Sequence, residues 1–211
     1  MKKEYDFSKM KSRKKIYTSK LNKPVNIAHQ KDSQINQKFQ VLSMLGAGDF
    51  EHLDGSLVEH LQGTKDLLQQ WGATIELQDA GLYHAVYGTA GFSQNLVSTD
   101  QREKIADVIG CPAEEIVYQY CACDRKAFFS RVGQDENPRF PNRFTGESYY
   151  LSDGMLRDFC ELTVANEIEI AIDNSAFINQ HGKELGLLFI NMAPYLSLFA
   201  QKAAAEIFGG M

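Results

Sequence analysis

Apolar residues recur at helical spacing through most of this chain, and helix start and stop signals separate one run from the next. Ser56 and Glu59 form a capping box at the start of one run, and Gly72 follows Trp71 at its end. No segment shows the strict apolar–polar alternation of a half-buried strand. The sequence therefore predicts an all-α fold, a bundle of about six to eight helices.

The same signals place the other predicted helices. Pro112 suits the first turn of a helix that the periodicity extends to about Val132. The polar segment 133–147 lacks periodicity and is predicted to be a loop, of a length typical of lids, binding loops or connectors. The remaining helices are predicted to begin near Ser33, Ile75, Ser98, Ser152 and Ser175, with a final segment after Pro194.

Charge divides the chain into an arm and a body. Residues 1–40 hold 11 of the 22 Lys and Arg residues but only 3 of the 27 Asp and Glu residues. Residues 1–30 also lack periodicity, so we predict a flexible basic arm there and a single helical domain over 31–211. The arm could bind nucleic acid, but no aromatic-interleaved basic patch supports that function. An arm resting on its own acidic domain is the favoured interpretation.

The remaining composition predicts a cytoplasmic protein that does not enter a membrane. No run approaches the roughly 18 consecutive apolar residues of a membrane span. The N-terminus carries positive charge without the apolar stretch of a secretory signal. The four cysteines lie on or beside predicted helices and lack the density of a disulfide scaffold.

Four polar residues occupy positions where the helical pattern calls for an apolar side chain. They are His60, His84, Asp124 and Asn166, one on each of four predicted helices. A buried imidazole, carboxylate or amide needs a hydrogen-bond or metal partner. Gly81, on the same helix face as His84, is easiest to explain if another helix packs closely there. The four residues together suggest one shared site inside the bundle.

Imidazole and carboxylate are suitable ligands for zinc, iron or manganese, so His60, His84 and Asp124 are candidate ligands of a divalent metal ion. His52 is a further candidate, because it lies in a predicted loop that could bring it to the same ion. Each residue also has a simpler explanation. A core histidine is more often hydrogen-bonded to a backbone carbonyl, and Asp124 could pair with an arginine. Both explanations stay open.

A second group of side chains lies close in sequence to these candidates. Those near His84 could line a pocket or could simply pack in the core. Arg125, which follows Asp124, is expected to point away from the apolar face of that helix. The candidate substrate-binding residues for a small-molecule substrate or ligand are Tyr83, Tyr87, Thr89, Arg125 and Asn166.

Residues 52–92 resemble an uncharacterised family of small helical proteins in which the motifs HLxGTxxLLxxWG and AGLxHxxYGT follow one another. Here the motifs read HLQGTKDLLQQWG from His60 and AGLYHAVYGT from Ala80. The later segment IGCPAEEIVYQYCACDR resembles another block of that family and ends in Asp124 and Arg125. Together the matches cover about residues 50–126.

That family is similar to the HD superfamily of helical metal-dependent phosphohydrolases and oxygenases. In the superfamily a histidine early in one helix is followed by a His-Asp pair at the end of the next. His60 and His84 fit this order, but Ala85 and Asn166 stand where metal-binding aspartates are expected. The resemblance implies an HD-like metal-dependent enzyme for a small molecule, a hydrolase before an oxygenase. The alternative is a non-catalytic ligand-binding or interaction module that has lost the metal site.

Overall fold

The computed structural model describes residues 37–47, 51–52, 55–91 and 94–209, except for the side chains of residues 46–47, 51–52 and 55–56. Helices make up most of these residues, so the predicted all-α fold is confirmed. The predicted basic arm, 1–30, lies outside the described residues. The helices are α1 (37–42), α2 (Leu57–Gln70), α3 (Ile75–Tyr83), α4 (Arg102–Ile109), α5 (Cys111–Ala122), α6 (Arg125–Phe129), α7 (Asp153–Ala171), α8 (Ser175–Met192) and α9 (Leu198–Phe208).

Two very short antiparallel strand pairs accompany the helices. Strand β1 (Glu51–His52) pairs with β2 (Gly55–Ser56), which leads directly into α2. Strand β3 (Phe140–Pro141) pairs with β4 (Ser148–Tyr149). The sequence predicts none of these strands, because two residues are too few to show an alternating pattern.

Helix α7 lies at the centre of the bundle. It packs against α2, α3, α5, α8 and α9. Its residues 159–168 are all buried, and a helix that is buried on every side belongs in the core. Polar side chains on such a helix need partners within the protein. Glu161, for example, accepts hydrogen bonds from the backbone amide of Ser197 at 2.9 Å and from its hydroxyl at 2.5 Å.

Helix α2 approaches both α3 and α7 closely, and a glycine lies at each contact. A Cβ at Gly81 of α3 would lie 2.6 Å from Leu68 Cδ1 and 3.3 Å from the Cα of Lys65 on α2. A Cβ at Gly63 of α2 would meet the side chain of Glu169 on α7. The close helix packing predicted at Gly81 is therefore confirmed, and Gly63 gives α7 a similar contact.

The predicted helix from Pro112 to Val132 is wrong beyond Ala122. The chain leaves the helix there, and Arg143 donates its backbone N–H to the Ala122 carbonyl at 2.7 Å. A new helix, α6, then begins at Arg125, with Asp124 as its N-cap accepting from the Ala127 amide at 3.2 Å. Aspartate favours this capping position, so the residue that continued the apolar pattern in fact starts a helix.

No helix in the described part of the chain combines the length and the apolar character needed to cross a membrane.

Candidate functional site

A set of polar side chains from five helices meets beside the central helix. We call this set the histidine cluster. Five of its members are buried, and Arg125 and Glu169 are partly exposed. The members are His60 of α2, His84 at the end of α3, Tyr120 of α5, Arg125 of α6, and Asn166, Glu167 and Glu169 of α7.

Both ring nitrogens of His60 face hydrogen-bond acceptors. Nδ1 lies 2.5 Å from Glu169 Oε2, and Nε2 lies 3.1 Å from Asn166 Oδ1. The Asn166 amide nitrogen donates to Glu167 Oε1 at 3.1 Å, which leaves the amide oxygen turned towards His60. Carboxylate and amide oxygens both accept hydrogen bonds, so each nitrogen of His60 has a partner within the cluster.

His84 lies against His60 with a different hydrogen-bond pattern. Its Nδ1 donates to the Gly81 carbonyl at 2.8 Å. The two imidazole rings are 5.1 Å apart at their centroids and meet edge to face at 84°. The His84 ring meets the Tyr120 ring in the same way at 5.5 Å. The cluster thus contains two imidazole rings in direct contact, each held by its own hydrogen-bond partners.

Arg125 and Glu167 form the other end of the cluster. Arg125 Nη1 lies 3.7 Å from Glu167 Oε1, a separation longer than a hydrogen bond. The guanidinium carbon lies 4.6 Å from the centre of the Tyr120 ring, within the range of a cation–π contact. Burial raises the pKa of Glu167, against the opposing effects of Arg125 and His60. Burial also raises the pKa of Tyr120, whose hydroxyl stays protonated.

Three buried polar atoms in this region lack a hydrogen-bond partner among the described residues. They are the Tyr120 hydroxyl oxygen, Arg125 Nε and Glu167 Oε2. A buried polar group without a partner costs about 1–3 kcal/mol, and native proteins contain few of them. Three such atoms on neighbouring side chains indicate that the cluster has the capacity to bind a further polar group.

Four of the residues singled out from the sequence meet in this cluster. They are the metal-ligand candidates His60 and His84 and the substrate-binding candidates Arg125 and Asn166. Arg125 was expected to point away from the apolar face. That expectation is wrong, because the chain turns at Cys123 and the Arg125 side chain packs over Tyr120.

The other two metal-ligand candidates are placed differently. Asp124 is exposed and caps α6, so it does not lie on the apolar face that was predicted for it. The backbone of His52 lies in β1, paired with Gly55, immediately before α2. The side chain of His52 lies outside the described residues.

The three candidates near His84 belong to other hydrogen-bond networks or to the core. The Tyr83 hydroxyl donates to the Lys38 carbonyl at 2.7 Å, between α3 and α1. The Tyr87 hydroxyl donates to Glu114 Oε1 at 2.8 Å, where Glu114 is also held by Arg102. Thr89 is buried and follows Tyr87 closely along the chain. Neither tyrosine directs its hydroxyl to the histidine cluster.

A metal ion bound by the predicted ligands can be tested against this geometry. His84 holds the Gly81 carbonyl with Nδ1, so Nε2 is the nitrogen that would bind an ion. His60 does not suit the role in this arrangement, because both of its nitrogens contact protein partners, Glu169 and Asn166. Among the described residues no group of three or more His, Cys, Asp or Glu side chains is placed to hold an ion. The described residues therefore do not fit the predicted metal site.

The sequence did not single out Tyr120 or Glu167 as members of the site. Tyr120 and Glu167 lie on helices that the sequence predicts, and Arg125 reaches them after the chain has turned at Cys123. A signal for Glu167 and Glu169 did exist. They follow Asn166 in the segment NEIE, which carries two carboxylates within the most buried helix of the chain.

Comparison with known families agrees with part of the sequence analysis. Residues 41–125 match the profile of a family described as Domain of unknown function (DUF6817). This match confirms the similarity to an uncharacterised family and includes His60, His84 and Arg125, but it ends before α7. No curated protein and no solved structure matches the chain significantly.

Proposed function

We propose that this chain binds a small polar molecule at the histidine cluster. The observation that carries the proposal is the set of three unpartnered buried atoms on Tyr120, Arg125 and Glu167. Together they would cost on the order of 3–9 kcal/mol if they stayed without partners, a large part of the stability of a small domain. A bound polar molecule or ordered water would remove this free-energy cost by supplying the missing hydrogen bonds. Unpartnered atoms that lower the stability of the protein by this much therefore support a ligand-binding function.

The same cluster contains the groups that acid–base catalysis requires. His60 is held by Glu169 and Asn166, and the ring of His84 lies 5.1 Å from it, centroid to centroid. Imidazole is the side chain most often used in general acid–base catalysis, and His60 would serve a bound molecule by exchanging its contact with Asn166 for the ligand. The proposal is that the cluster binds a small molecule. If the protein is an enzyme, these residues favour an acid–base reaction on that molecule.

The experiment is a ligand-observed NMR screen of small carboxylates, amides, phosphates and nucleosides against the wild-type protein and Glu167→Gln. The variant keeps the shape of the side chain and changes its hydrogen bonding. Glu115→Gln is the matched control, because Glu115 is only partly buried and its partner Arg102 lies outside the cluster. We expect at least one compound to bind the wild type and the control and to bind Glu167→Gln more weakly. If no compound distinguishes Glu167→Gln from the control, the proposal is wrong.

A metal-dependent hydrolase of HD-like fold is the second candidate, with an oxygenase as its oxidative form. The observation that favours it is the Glu169–His60 contact, since histidine ligands in metal sites often donate their other nitrogen to a carboxylate. The site would require His60 to exchange its contact with Asn166 for the ion, and a further ligand such as His52. Ala85 and Asn166 in place of aspartates weigh against it. Elemental analysis of untagged wild type beside His84→Ala tests it, because only a true site gives zinc, iron or manganese in the wild type alone.

Location and partners follow as lesser proposals. We propose a cytoplasmic protein with a small molecule as its partner. Nucleic-acid binding through residues 1–30 is not part of the proposal. A chain that lacks these residues should therefore retain DNA and RNA to the same extent as the full chain does.

A further inference from the structure

A half-open cavity of about 460 Å³ lies where the polar segment 133–147 approaches the start of α7 and the short helical turn Ala193–Tyr195. We call it the loop cavity. Its volume falls within the range of about 300–1,000 Å³ that is typical of small-molecule sites. None of the described residues that line it belongs to the histidine cluster. These lining residues are Glu136, Asn137, Tyr150, Asp153, Leu156 and Tyr195.

The wall of the loop cavity is assembled from separate stretches of chain that the fold holds together. The Tyr195 hydroxyl donates to the Glu136 carbonyl at 3.3 Å and so connects the turn after α8 to the loop. Asp153 is the first residue of α7 and directly follows the N-cap Ser152, whose side chain caps the helix. Leu156, one turn into α7, is buried and contributes apolar surface. The side chains of the wall are therefore carried by backbone with fixed contacts.

Acidic side chains line the loop cavity, and basic side chains do not. Glu136 and Asp153 carry carboxylates, and neither carboxylate bonds to another described residue. Arg139 and Arg157 are close to lining residues in the sequence, but both donate to backbone carbonyl groups, at 2.7 and 3.2 Å. The positive end of the α7 dipole offsets part of the charge of Asp153. The lining still carries an excess of negative charge.

Aromatic rings line the same cavity. Tyr150 is 58% exposed, so its ring is open to a ligand, and Tyr195 is partly exposed. The Arg139 guanidinium carbon lies 5.6 Å from the centre of the Tyr150 ring, within the range of a cation–π contact. This ring therefore already contacts one cation. Aromatic faces beside carboxylates suit organic ammonium ions, because both attract the positive charge and the rings also contact the alkyl groups.

We propose that the loop cavity binds a small organic cation of the ammonium class. An anion would be repelled by the two carboxylates. A metal ion needs several ligands at one point, and among the described residues no group of three or more His, Cys, Asp or Glu side chains is placed to hold one. This inference does not rest on the proposed function, because the loop cavity and the histidine cluster share no described residue.

The test uses choline as the probe, with the neutral alcohol in which a carbon atom replaces its charged nitrogen as the compound of matched shape. Each is titrated into full-length ¹⁵N-labelled protein at constant ionic strength. The backbone amide resonances of Asn137, Tyr150 and Asp153 are followed. We expect choline to shift these resonances saturably and the neutral alcohol to leave them unchanged. The backbone amide of His84, in the histidine cluster, should not respond to either compound.

Substitutions identify the groups that bind the probe. Glu136→Gln and Asp153→Asn should each weaken choline binding about threefold, the effect of losing one partly exposed ion pair. Tyr150→Leu keeps apolar bulk but removes the aromatic face, and it should weaken choline binding by a similar factor, about threefold. Glu147→Gln is the matched control, because Glu147 is an exposed carboxylate of the same segment that does not line the cavity. It should bind choline like the wild type.

Two results would overturn the inference. In the first, choline shifts the followed resonances no more than the neutral alcohol does, so that charge plays no part in binding. In the second, Glu136→Gln and Asp153→Asn both bind choline as tightly as Glu147→Gln does, so that the attraction comes from the general negative charge of the surface. Circular dichroism of each variant checks that the helical fold is kept.

Discussion

The contact between Gly63 and Glu169 provides a way to measure the His60–Glu169 pair. A Cβ at position 63 would lie 2.8 Å from Glu169 Cγ and 2.9 Å from its Cδ, and closer still to Oε1. Contacts this short cannot persist, so Gly63→Ala must displace the Glu169 side chain. Because that side chain is flexible, the displacement costs the hydrogen bond to His60 rather than a backbone shift.

The expected loss can be estimated from two opposing effects. Losing a hydrogen bond to a charged group such as a carboxylate costs about 1.5–3 kcal/mol. Replacing glycine by alanine in a helix returns about 1 kcal/mol. The free energy of unfolding should therefore fall by about 0.5–2 kcal/mol, measured by urea denaturation followed by circular dichroism.

A double-mutant cycle separates this mechanism from general overpacking. In a Glu169→Ala background the clash is gone, so Gly63→Ala should stabilise by up to about 1 kcal/mol. Gly154→Ala is the control for helix propensity, because a Cβ there meets open space among the described residues. The same destabilisation by Gly63→Ala in both backgrounds would refute the reasoning.

Three further predictions concern other parts of the structure. Gly81→Ala should lower the free energy of unfolding by about 1 kcal/mol, because overpacking against Leu68 exceeds the gain in helix propensity; unchanged stability in urea would contradict the packing described. Asp124→Ala should lower the free energy of unfolding by about 1 kcal/mol through loss of the α6 cap and should leave ligand binding unchanged. If the substitution instead abolished binding of a metal ion, Asp124 would be a metal ligand after all. At pH 8 a thiol reagent should label Cys111 alone in the native protein and all four thiols after denaturation. The reason is that burial raises the pKa of Cys121 to about 12 and that the other two cysteines are buried as well. Fast labelling of a second thiol in the native protein would contradict this prediction.

The sequence predicts the fold well where one periodic run forms one helix. The Ser56–Glu59 signal places the start of α2 at the correct position, although the side chain of Ser56 lies outside the described residues. The helices α3 and α7 also begin within a residue of their predicted starts. Periodicity fails between α5 and α6, because the apolar pattern continues through Asp124 while the chain leaves the helix to pair with residues near Asn142. That pairing is a long-range contact, which no local pattern reveals.

The candidate site was predictable in its centre and not at its edges. His60, His84 and Asn166 interrupt apolar faces, and buried polar residues on separate helices of one bundle have few places to meet. Arg125 joins them only because of the turn that the periodicity missed. Tyr120 carries no polar anomaly in the sequence, because a tyrosine on an apolar helix face is ordinary until its hydroxyl proves to lack a partner.

The most direct test of the account is a high-resolution crystal structure of the wild-type protein, purified and crystallised without carboxylates, phosphates or added metals. The account predicts His60 bonded to Glu169 and Asn166, with a bound molecule larger than water contacting Arg125 Nε, Glu167 Oε2 and the Tyr120 hydroxyl. A metal ion coordinated by His60 and His84 would contradict it, and so would one water molecule alone bonded to those three atoms.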